Sequence, residues 1–358
     1  MNMDIKTLNP DCRHFKGHVP CEPHKKYGAH CEDCPFYDPV EQKICIIKLG
    51  AIGDVIRTTP LLHRLKREYP QAEIYWLTYT PNILPKSVDH VLQLIPKDIL
   101  LLQSIEFDKI INLDKDPEAC ALMNTLHGKE KRGYALKDGR PWPIDETAEG
   151  KFFTGLFDDV SKENSKSYQE EIFEICGYRF AGEKYMLDNF EDGYSWPIDS
   201  SRTIIGLNTG CGGRWKSRLW ADENWIALAE KLTAKNFLVL LLGGPDEHEK
   251  NLVLAKKSGA KYLGHFPLEQ FINLVDQCDL VVTAVTMAMH IAIGLSKKLV
   301  LFNNTFNRHE FELYGQGEIL EPEFDCPCYY APECPNNCMQ YIYVDRGVEA
   351  CERLLVKG

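Results

Sequence analysis

Asp54 is the acidic residue whose setting in the sequence is most typical of a catalytic group. It follows a short apolar run, residues 44–47, and a glycine turn, residues 50–53, and it precedes leucines at helical spacing. The order strand, glycine turn, helix is the first half of a βαβ unit. Ligands of open α/β sheets bind beyond the carboxyl ends of the strands, so we expect Asp54 to act there as a general base. The alternative is an aspartate that caps the helix.

A second strand, residues 203–207, runs into a glycine-rich turn that three cationic side chains follow. Glycines let backbone N–H groups approach an anion closely, and guanidinium groups bind phosphate oxygens strongly. We interpret this stretch as a diphosphate site, and the alternative is a solvated basic loop. The residues assigned to the site are Thr209, Gly210, Gly212, Gly213, Arg214, Lys216 and Arg218.

Cysteines are unusually frequent, with fourteen in the chain, and eight of them form two clusters. The first cluster has the spacing C-x8-C-x9-C-x2-C in a segment rich in Pro, His and Gly, which has little apolar material to order itself. Four thiolates at such spacing favour a structural zinc or iron site, and the alternative is a loose arm with incidental thiols. The proposed ligands are Cys12, Cys21, Cys31 and Cys34.

The second cluster lies near the end of the chain and has the spacing C-x-C-x5-C-x3-C. It is dense enough to bind one ion, and it is a second candidate metal site. Local disulfides are the alternative, which a reducing compartment disfavours. Its members are Cys326, Cys328, Cys334 and Cys338.

Four segments organise these groups: a Cys-rich extension over 1–40, α/β domains over 41–190 and 200–345, and a C-terminal helix over 346–358. A linker is expected at 188–201, and residues 130–170 lack a clear period and are expected to be loop-rich. Two successive α/β halves predict two Rossmann-like domains that face each other across a cleft.

Alternating strands and helices support this domain plan. Asp114 and Asp116 follow the strand over 107–113, and we interpret them as turn residues. Strands are predicted at 44–48, 73–78, 91–95 and 109–113 before the linker, and at 203–207, 237–242, 261–263, 280–283 and 298–302 after it; helices are predicted at 58–69, 167–176, 247–258, 268–277 and 288–295.

Composition excludes several classes of function. The chain of 358 residues is 44% hydrophobic and 26% charged, typical of a globular protein, and its net charge of −11 argues against general nucleic-acid binding. The polar N-terminus does not resemble a signal peptide, and no apolar run reaches the length of a membrane span. We therefore expect a cytoplasmic protein that touches a membrane, if at all, peripherally at its inner face.

Several ordered motifs resemble glycosyltransferase family 9, the ADP-heptose:lipopolysaccharide heptosyltransferases and their relatives. The resemblance covers about residues 43–345. The motifs are KLGAIGDVIRTTPLL at the first strand, RWKSRLW after the glycine turn, LLLGGPDEHE, DLVVTAVTMAMH and the cysteine-bearing CPCYYAPECPNNCM.

This resemblance implies the GT-B fold and an inverting transfer in which Asp54 is the general base. It places Gly53 and Arg57 on the acceptor side. It also places Thr286, Met287 and His290 in the donor site, and the less favoured alternative for His290 is a core histidine.

Four departures from the family pattern affect the donor site, and two of them are Met287 and Ala288, which stand where the family has a glycine and a proline. Arg218 stands where the family has a lysine, which keeps the charge, and Val285 stands where the family has an aspartate. Valine cannot hydrogen-bond a donor group, so the donor sugar stays open.

The predicted function is transfer of a sugar, a heptose or a relative, from a nucleotide-diphosphate sugar such as ADP-heptose. The acceptor is a cell-surface glycan, a lipid-linked glycan or a protein. The sequence has no D-x-D motif in a matching position, and no catalytic divalent metal is expected. The alternatives are a nucleotide-sugar epimerase of similar fold and a degenerate, non-catalytic transferase scaffold.

Overall fold

A computed structural model describes residues 4–189 and 194–356. Residues 190–193, inside the predicted linker, and residues 1–3 and 357–358, at the ends of the first and last predicted segments, lie outside the described residues. The chain divides into two compact units. The first unit contains residues 1–49, 61–81 and 86–148, and the second contains residues 50–60, 82–85 and 149–358.

Strands and helices alternate along both units, as the sequence predicts. The strands are β1 Gln42–Ile47, β2 Ala72–Leu77, β3 His90–Leu92, β4 Glu106–Asn112, β5 His127–Lys137, β6 Arg140–Pro143, β7 Ile204–Asn208, β8 Leu238–Leu242, β9 Lys261–Tyr262, β10 Leu280–Ala284, β11 Lys298–Phe302 and β12 Gly317–Leu320. The α-helices are α1 Glu22–Tyr27, α2 Ile52–Ile56, α3 Leu61–Glu68, α4 Pro96–Gln103, α5 Pro117–Thr125, α6 Glu149–Thr154, α7 Asp158–Glu163, α8 Tyr168–Ile175, α9 Asp222–Ala234, α10 His248–Ser258, α11 Leu268–Asp276, α12 Met287–Gly294 and α13 Val344–Val356. Short 3-10 helices span Ile5–Thr7, Cys31–Asp33, Pro81–Ile83, Glu146–Ala148, Lys216–Arg218, Pro245–Glu247, Arg308–Glu310 and Cys338–Tyr341.

The first unit is built on a six-stranded sheet in the order β3-β2-β1-β4-β5-β6. The strands pair in parallel except for β5 and β6, which form an antiparallel hairpin. Strand β1 is central and its last four residues are buried, because helices cover both faces of a parallel sheet. This order, which reverses next to β1, is that of a Rossmann-like sheet.

Asp114 joins the carboxyl ends of β1 and β4. Its carboxylate is buried and accepts hydrogen bonds from the Lys48 ammonium and the Leu49 backbone N–H. Burial raises the pKa of Asp114, and the charge of Lys48 opposes that rise. The prediction that Asp114 is only a turn residue is therefore wrong, since its side chain compensates a buried cation at the edge of the sheet.

The second unit contains an all-parallel sheet in the order β12-β11-β10-β7-β8-β9. Its core holds Trp220, Trp225 and Phe302, whose rings lie 4.9–5.8 Å apart between the sheet and helices α9 and α13. Such edge-to-face and stacked pairs are the favoured geometries of buried aromatic rings. The predicted α/β fold with two Rossmann-like sheets is confirmed.

Two local predictions are wrong. Residues 130–170 are not loop-rich, because they contain most of β5, the strand β6 and the helices α6 and α7. The helix expected over 58–69 begins at Leu61 and is preceded by a separate short helix, α2, whose residues pack in the second unit. No helix of the described residues is both long and apolar enough to cross a bilayer.

Candidate active site

Asp54 occupies the third position of α2, after the turn that follows β1. One carboxylate oxygen, Oδ2, accepts the Ala51 N–H at 3.3 Å, and the other, Oδ1, lies 2.7 Å from Nη2 of Arg57. A third of the side chain is exposed. Asp54 thus contributes to the helix start, as the capping alternative requires, and it keeps an accessible carboxylate for chemistry.

Arg57 holds Asp54 from one turn further along the chain. Its guanidinium carbon lies 3.5 Å from the ring centre of Tyr168, and Nη1 lies 3.7 Å from a carboxylate oxygen of Glu310. Only 14% of its side chain is exposed. Burial has the largest single effect and lowers the pKa of Arg57, but Asp54, Tyr168 and Glu310 together raise it above its usual value. Arg57 therefore stays charged and favours the ionised form of Asp54.

Carboxylates outnumber cations in this region. Lys151 of α6 pairs with the buried Glu171 at 2.6 Å, while Arg57 is shared by Asp54 and Glu310. Three carboxylates therefore face two cations, so Arg57 is better suited to orient Asp54 than to bind an additional anion.

Gly53 and His290 bring α2 and α12 into contact. A Cβ atom at Gly53 would lie 2.4 Å from Cδ2 of His290, so only glycine fits there. His290 is buried, and its Nδ1 lies 3.5 Å from the hydroxyl of Tyr185. Burial, together with the nearby charge of Arg57, lowers the pKa of His290 to about 3. The imidazole is therefore neutral, and it packs against Gly53 in the turn that carries Asp54.

Arg218 is the cation that the structure buries at the glycine-rich loop. Its guanidinium carbon lies 5.1 Å from the ring centre of Trp215 and 5.2 Å from that of Phe306, and Nη1 donates to the carbonyl oxygen of Val285. In the described part of the chain, its Nε has no hydrogen-bond partner. Burial lowers the pKa of Arg218 to about 10, because a charge there is poorly solvated. An unpaired donor of this kind is suited to an incoming anion.

The other predicted residues of this loop differ in their surroundings. Arg214 and Lys216 are exposed, and Gly212 has a φ of 70°, which favours glycine. The Thr209 hydroxyl donates to Asn251 at 2.6 Å and is buried, so it is already satisfied. Exposed Gly213 has open space around it.

Glu247 was not singled out from the sequence, although it belongs to the GGPDE motif. A Cβ atom at Gly210 would lie 2.1 Å from its carboxylate, so Gly210 is needed for the approach of Glu247. Glu247 also accepts the Gly244 N–H at 2.9 Å. Its proximity to the loop could be found only from the fold, since thirty-seven residues separate the two positions in the sequence (247 − 210).

Thr286 and Met287 follow β10, the strand beside β7 in the sheet. The Thr286 hydroxyl lies 3.0 Å from that of Thr283 and 3.4 Å from the amide of Asn208. Met287 begins α12 and is half-buried. Val285 contacts Arg218 through its backbone carbonyl. This backbone contact stands at the position where the family has an aspartate side chain.

The tail cysteines meet in space. The sulfur atoms of Cys326, Cys328 and Cys334 lie within 4.8 Å of one another. Cys338 is buried next to them, and its backbone N–H lies 3.5 Å from the sulfur of Cys334. Thiols gathered in this way fit the ligand set of a tetrahedral zinc or iron site.

The four N-terminal cysteines line one cavity of about 20 Å³, which His14 also lines. Cys12 forms an isolated β-bridge with Pro39, which closes the segment on itself. Among the residues that the structure describes, however, no three of these thiols gather within 4.8 Å. The fold brings them to one place without giving them the spacing of bound ligands.

These features define a class of protein. Two Rossmann-like sheets, with a carboxylate after the first strand and a buried cation after the first strand of the second sheet, are typical of nucleotide-sugar-dependent glycosyltransferases of the GT-B fold.

The sequence model of glycosyltransferase family 9 (heptosyltransferase) matches residues 165–316, a segment that includes Arg218 and His290. The resemblance to family 9 is confirmed, and the chain is a glycosyltransferase. A lipopolysaccharide core heptosyltransferase, OpsX, of Haemophilus influenzae is 24% identical over 285 residues, which are 72% of this chain and 78% of that protein.

Solved structures share the fold. A family 9 glycosyltransferase from Veillonella parvula superposes with a TM-score of 0.67 at 16% identity, covering 89% of this chain and 98% of that one. The iron-containing dodecameric glycosyltransferase TibC of enterotoxigenic E. coli superposes with a TM-score of 0.56 at 12% identity, covering 88% and 80%.

The depressed pKa of His290 predicts a pH dependence of stability. The unfolded chain protonates this imidazole near its usual pKa of 6.5, whereas the folded chain keeps it neutral down to about 3. His290 therefore leaves the unfolding free energy unchanged above pH 6.5 and lowers it as the pH falls from 6.5 towards 3, by at most about 1.4 kcal/mol per pH unit.

Urea unfolding of the wild type and of His290→Gln at several pH values measures this contribution. The slope of stability against pH should be smaller in His290→Gln and unchanged in His309→Gln, whose histidine is exposed. Equal slopes in all three proteins would contradict the buried neutral imidazole.

Proposed function

We propose that this glycosyltransferase is a heptosyltransferase that moves a heptose from ADP-heptose to a glycan acceptor of the lipopolysaccharide core type, with inversion and with Asp54 as general base. The observation that carries the proposal is the Asp54 carboxylate, which pairs with Arg57 at 2.7 Å and is one third exposed. The name of the relative OpsX supports the acceptor, and a solved complex of TibC with ADP-D-β-D-heptose supports the donor. Lipid-linked and protein acceptors are outcomes that the acceptor assay distinguishes.

In this mechanism the acceptor hydroxyl attacks the anomeric carbon of the sugar. A new C–O bond forms as the bond between that carbon and the diphosphate oxygen breaks. Asp54 takes the proton of the hydroxyl, and Arg218 stabilises the negative charge that accumulates on the departing diphosphate.

Arg57 acts on Asp54 and not on the sugar. Because its guanidinium is held by Tyr168 and Glu310, it fixes Oδ1 of Asp54, while Oδ2 accepts the Ala51 N–H. A general base must be ionised, and the neighbouring charge of Arg57 stabilises a carboxylate anion.

Asp54→Asn should abolish transfer and leave donor affinity nearly intact, because the amide keeps the shape of the side chain and loses its basicity. Removal of a general base typically costs about two to four powers of ten in rate. Transfer is measured with ADP-heptose and a core oligosaccharide, and donor binding is measured by calorimetry. Asp246→Asn, in another helix start, serves as a control with normal turnover. Turnover of Asp54→Asn within about threefold of the wild type is incompatible with this role.

Arg218→Ala should weaken binding of the nucleotide itself, since the proposed partner of the guanidinium is the diphosphate. Loss of a charge-assisted hydrogen bond is worth about 1.5–3 kcal/mol, or roughly a tenfold to hundredfold loss of affinity. Calorimetry with free ADP tests this, and Arg353→Ala in α13 is the matched control. Unchanged ADP affinity in Arg218→Ala would place the phosphate site elsewhere.

We also propose a structural metal ion at each cysteine cluster. TibC is iron-containing, and the thiols of Cys326, Cys328 and Cys334 already lie within 4.8 Å, which supports the tail site. The shared cavity of Cys12, Cys21, Cys31 and Cys34 supports the N-terminal site. When bound, such an ion would order its segment, since neither segment has a large apolar core of its own.

Elemental analysis of purified protein tests both metal sites. The wild type should hold about two equivalents of zinc or iron, and one equivalent should be lost in Cys334→Ser and one in the double variant Cys31→Ser with Cys34→Ser, as expected for four ligands per ion. Cys351→Ser, in the buried face of α13, should keep both. A cluster variant that remains as metal-loaded as the wild type removes that cluster from the assignment.

A further inference from the structure

Tyr330 lies in the segment of the tail cysteines, residues 326–338, which we call the cysteine loop. Its ring contacts residues near Arg218. It lies between Cys328 and Cys334, and its ring centre is 5.4 Å from that of Trp215 and 5.3 Å from that of Phe306. Its backbone N–H donates to the carbonyl oxygen of Thr305 at 2.8 Å. The three rings form a triangle, because Trp215 and Phe306 are themselves 5.2 Å apart.

Two of these three rings also contact Arg218. Its guanidinium carbon is 5.1 Å from the ring centre of Trp215 and 5.2 Å from that of Phe306. Tyr330 therefore completes the aromatic wall next to the proposed diphosphate cation. Aromatic rings that contact each other and a guanidinium restrict its orientation.

Other contacts of the cysteine loop hold Tyr330 in this place. The backbone N–H of Ser217, one residue before Arg218, donates to the carbonyl oxygen of Pro332 at 2.9 Å. The hydroxyl of Tyr329 lies 2.9 Å from that of Ser161 in α7. Residues 329–332 are thus fixed on both sides, and the loop cannot move without moving the backbone next to Arg218.

The exposed part of Tyr330 is available to a ligand, since half of the residue remains exposed. The half-exposed ring of Tyr330 therefore borders the two aromatic rings that contact Arg218, the proposed diphosphate cation.

We propose that Tyr330 binds the sugar of the nucleotide-sugar donor and that the cysteine loop is part of the donor site. The inference rests on the proposed function, since the sugar of the donor is attached to the diphosphate that Arg218 is proposed to bind, and Tyr330 packs on the two rings that contact Arg218. The flat ring suits the apolar face of a pyranose, and the phenol hydroxyl suits its hydroxyl groups. The cysteine cluster then has a consequence for substrate binding, because it fixes the ends of the segment that carries Tyr330.

Calorimetry with ADP-heptose and with free ADP tests the inference on the full-length protein. Tyr330→Ala should bind ADP-heptose about three- to tenfold more weakly and ADP with nearly wild-type affinity, because only the sugar contact is lost. Tyr330→Phe should keep most of the affinity for ADP-heptose if stacking dominates. Tyr341→Ala is the matched control, since this exposed tyrosine of the same tail packs on Phe324.

Metal content and a panel of ADP- and UDP-sugars separate the outcomes. Tyr330→Ala should keep the metal content of the wild type, so any loss of affinity comes from the ring. Unchanged affinity for ADP-heptose, or an equal loss for ADP and ADP-heptose, would overturn the sugar contact while the proposed function stands. If the wild type binds no nucleotide sugar of the panel, both the function and this inference fail.

Discussion

The buried positive charge of Arg57 is the constraint on which the acceptor-side chemistry depends. A guanidinium with 14% exposure must be compensated, and Asp54, Glu310 and the face of Tyr168 share that task. These partners come from α2, from a 3-10 helix after β11 and from α8, so the charge fixes three distant parts of the second unit. The same charge stabilises the Asp54 carboxylate, so the packing of this region and the proposed general base depend on one ion pair.

The contact between α2 and α12 carries this constraint to the donor side. Gly53 leaves room for His290, and the carbonyl of Val285, just before α12, accepts from Arg218. A larger residue at position 53 would clash with His290 and displace α12, the helix that begins next to Val285. The residues around the proposed general base and the residues around the proposed diphosphate cation are therefore coupled through one neutral, buried imidazole.

The sequence was sufficient to predict the strands that carry the chemistry, because buried parallel strands such as β1 and β10 are short apolar runs with glycine turns after them. It was insufficient for residues 130–170, where the hairpin β5–β6 is stabilised by partners far apart in sequence. It also missed Glu247 and Tyr330, whose roles depend on contacts with residues 37 and 115 positions away, Gly210 and Trp215. Only the fold could supply such contacts.

The valine at position 285 has a physical explanation in this arrangement. An aspartate there would place a carboxylate next to Arg218 and satisfy a guanidinium whose Nε now has no partner in the described residues. With valine at position 285, the charge of Arg218 is stabilised by the backbone carbonyl and by the rings of Trp215 and Phe306. Its poorly solvated charge therefore gains more from a bound diphosphate than a guanidinium already paired with a carboxylate would. Under the proposed function, the polar contact to the donor that is lost at position 285 is offset by a stronger interaction of Arg218 with the diphosphate, and other side chains of the loop would bind the sugar.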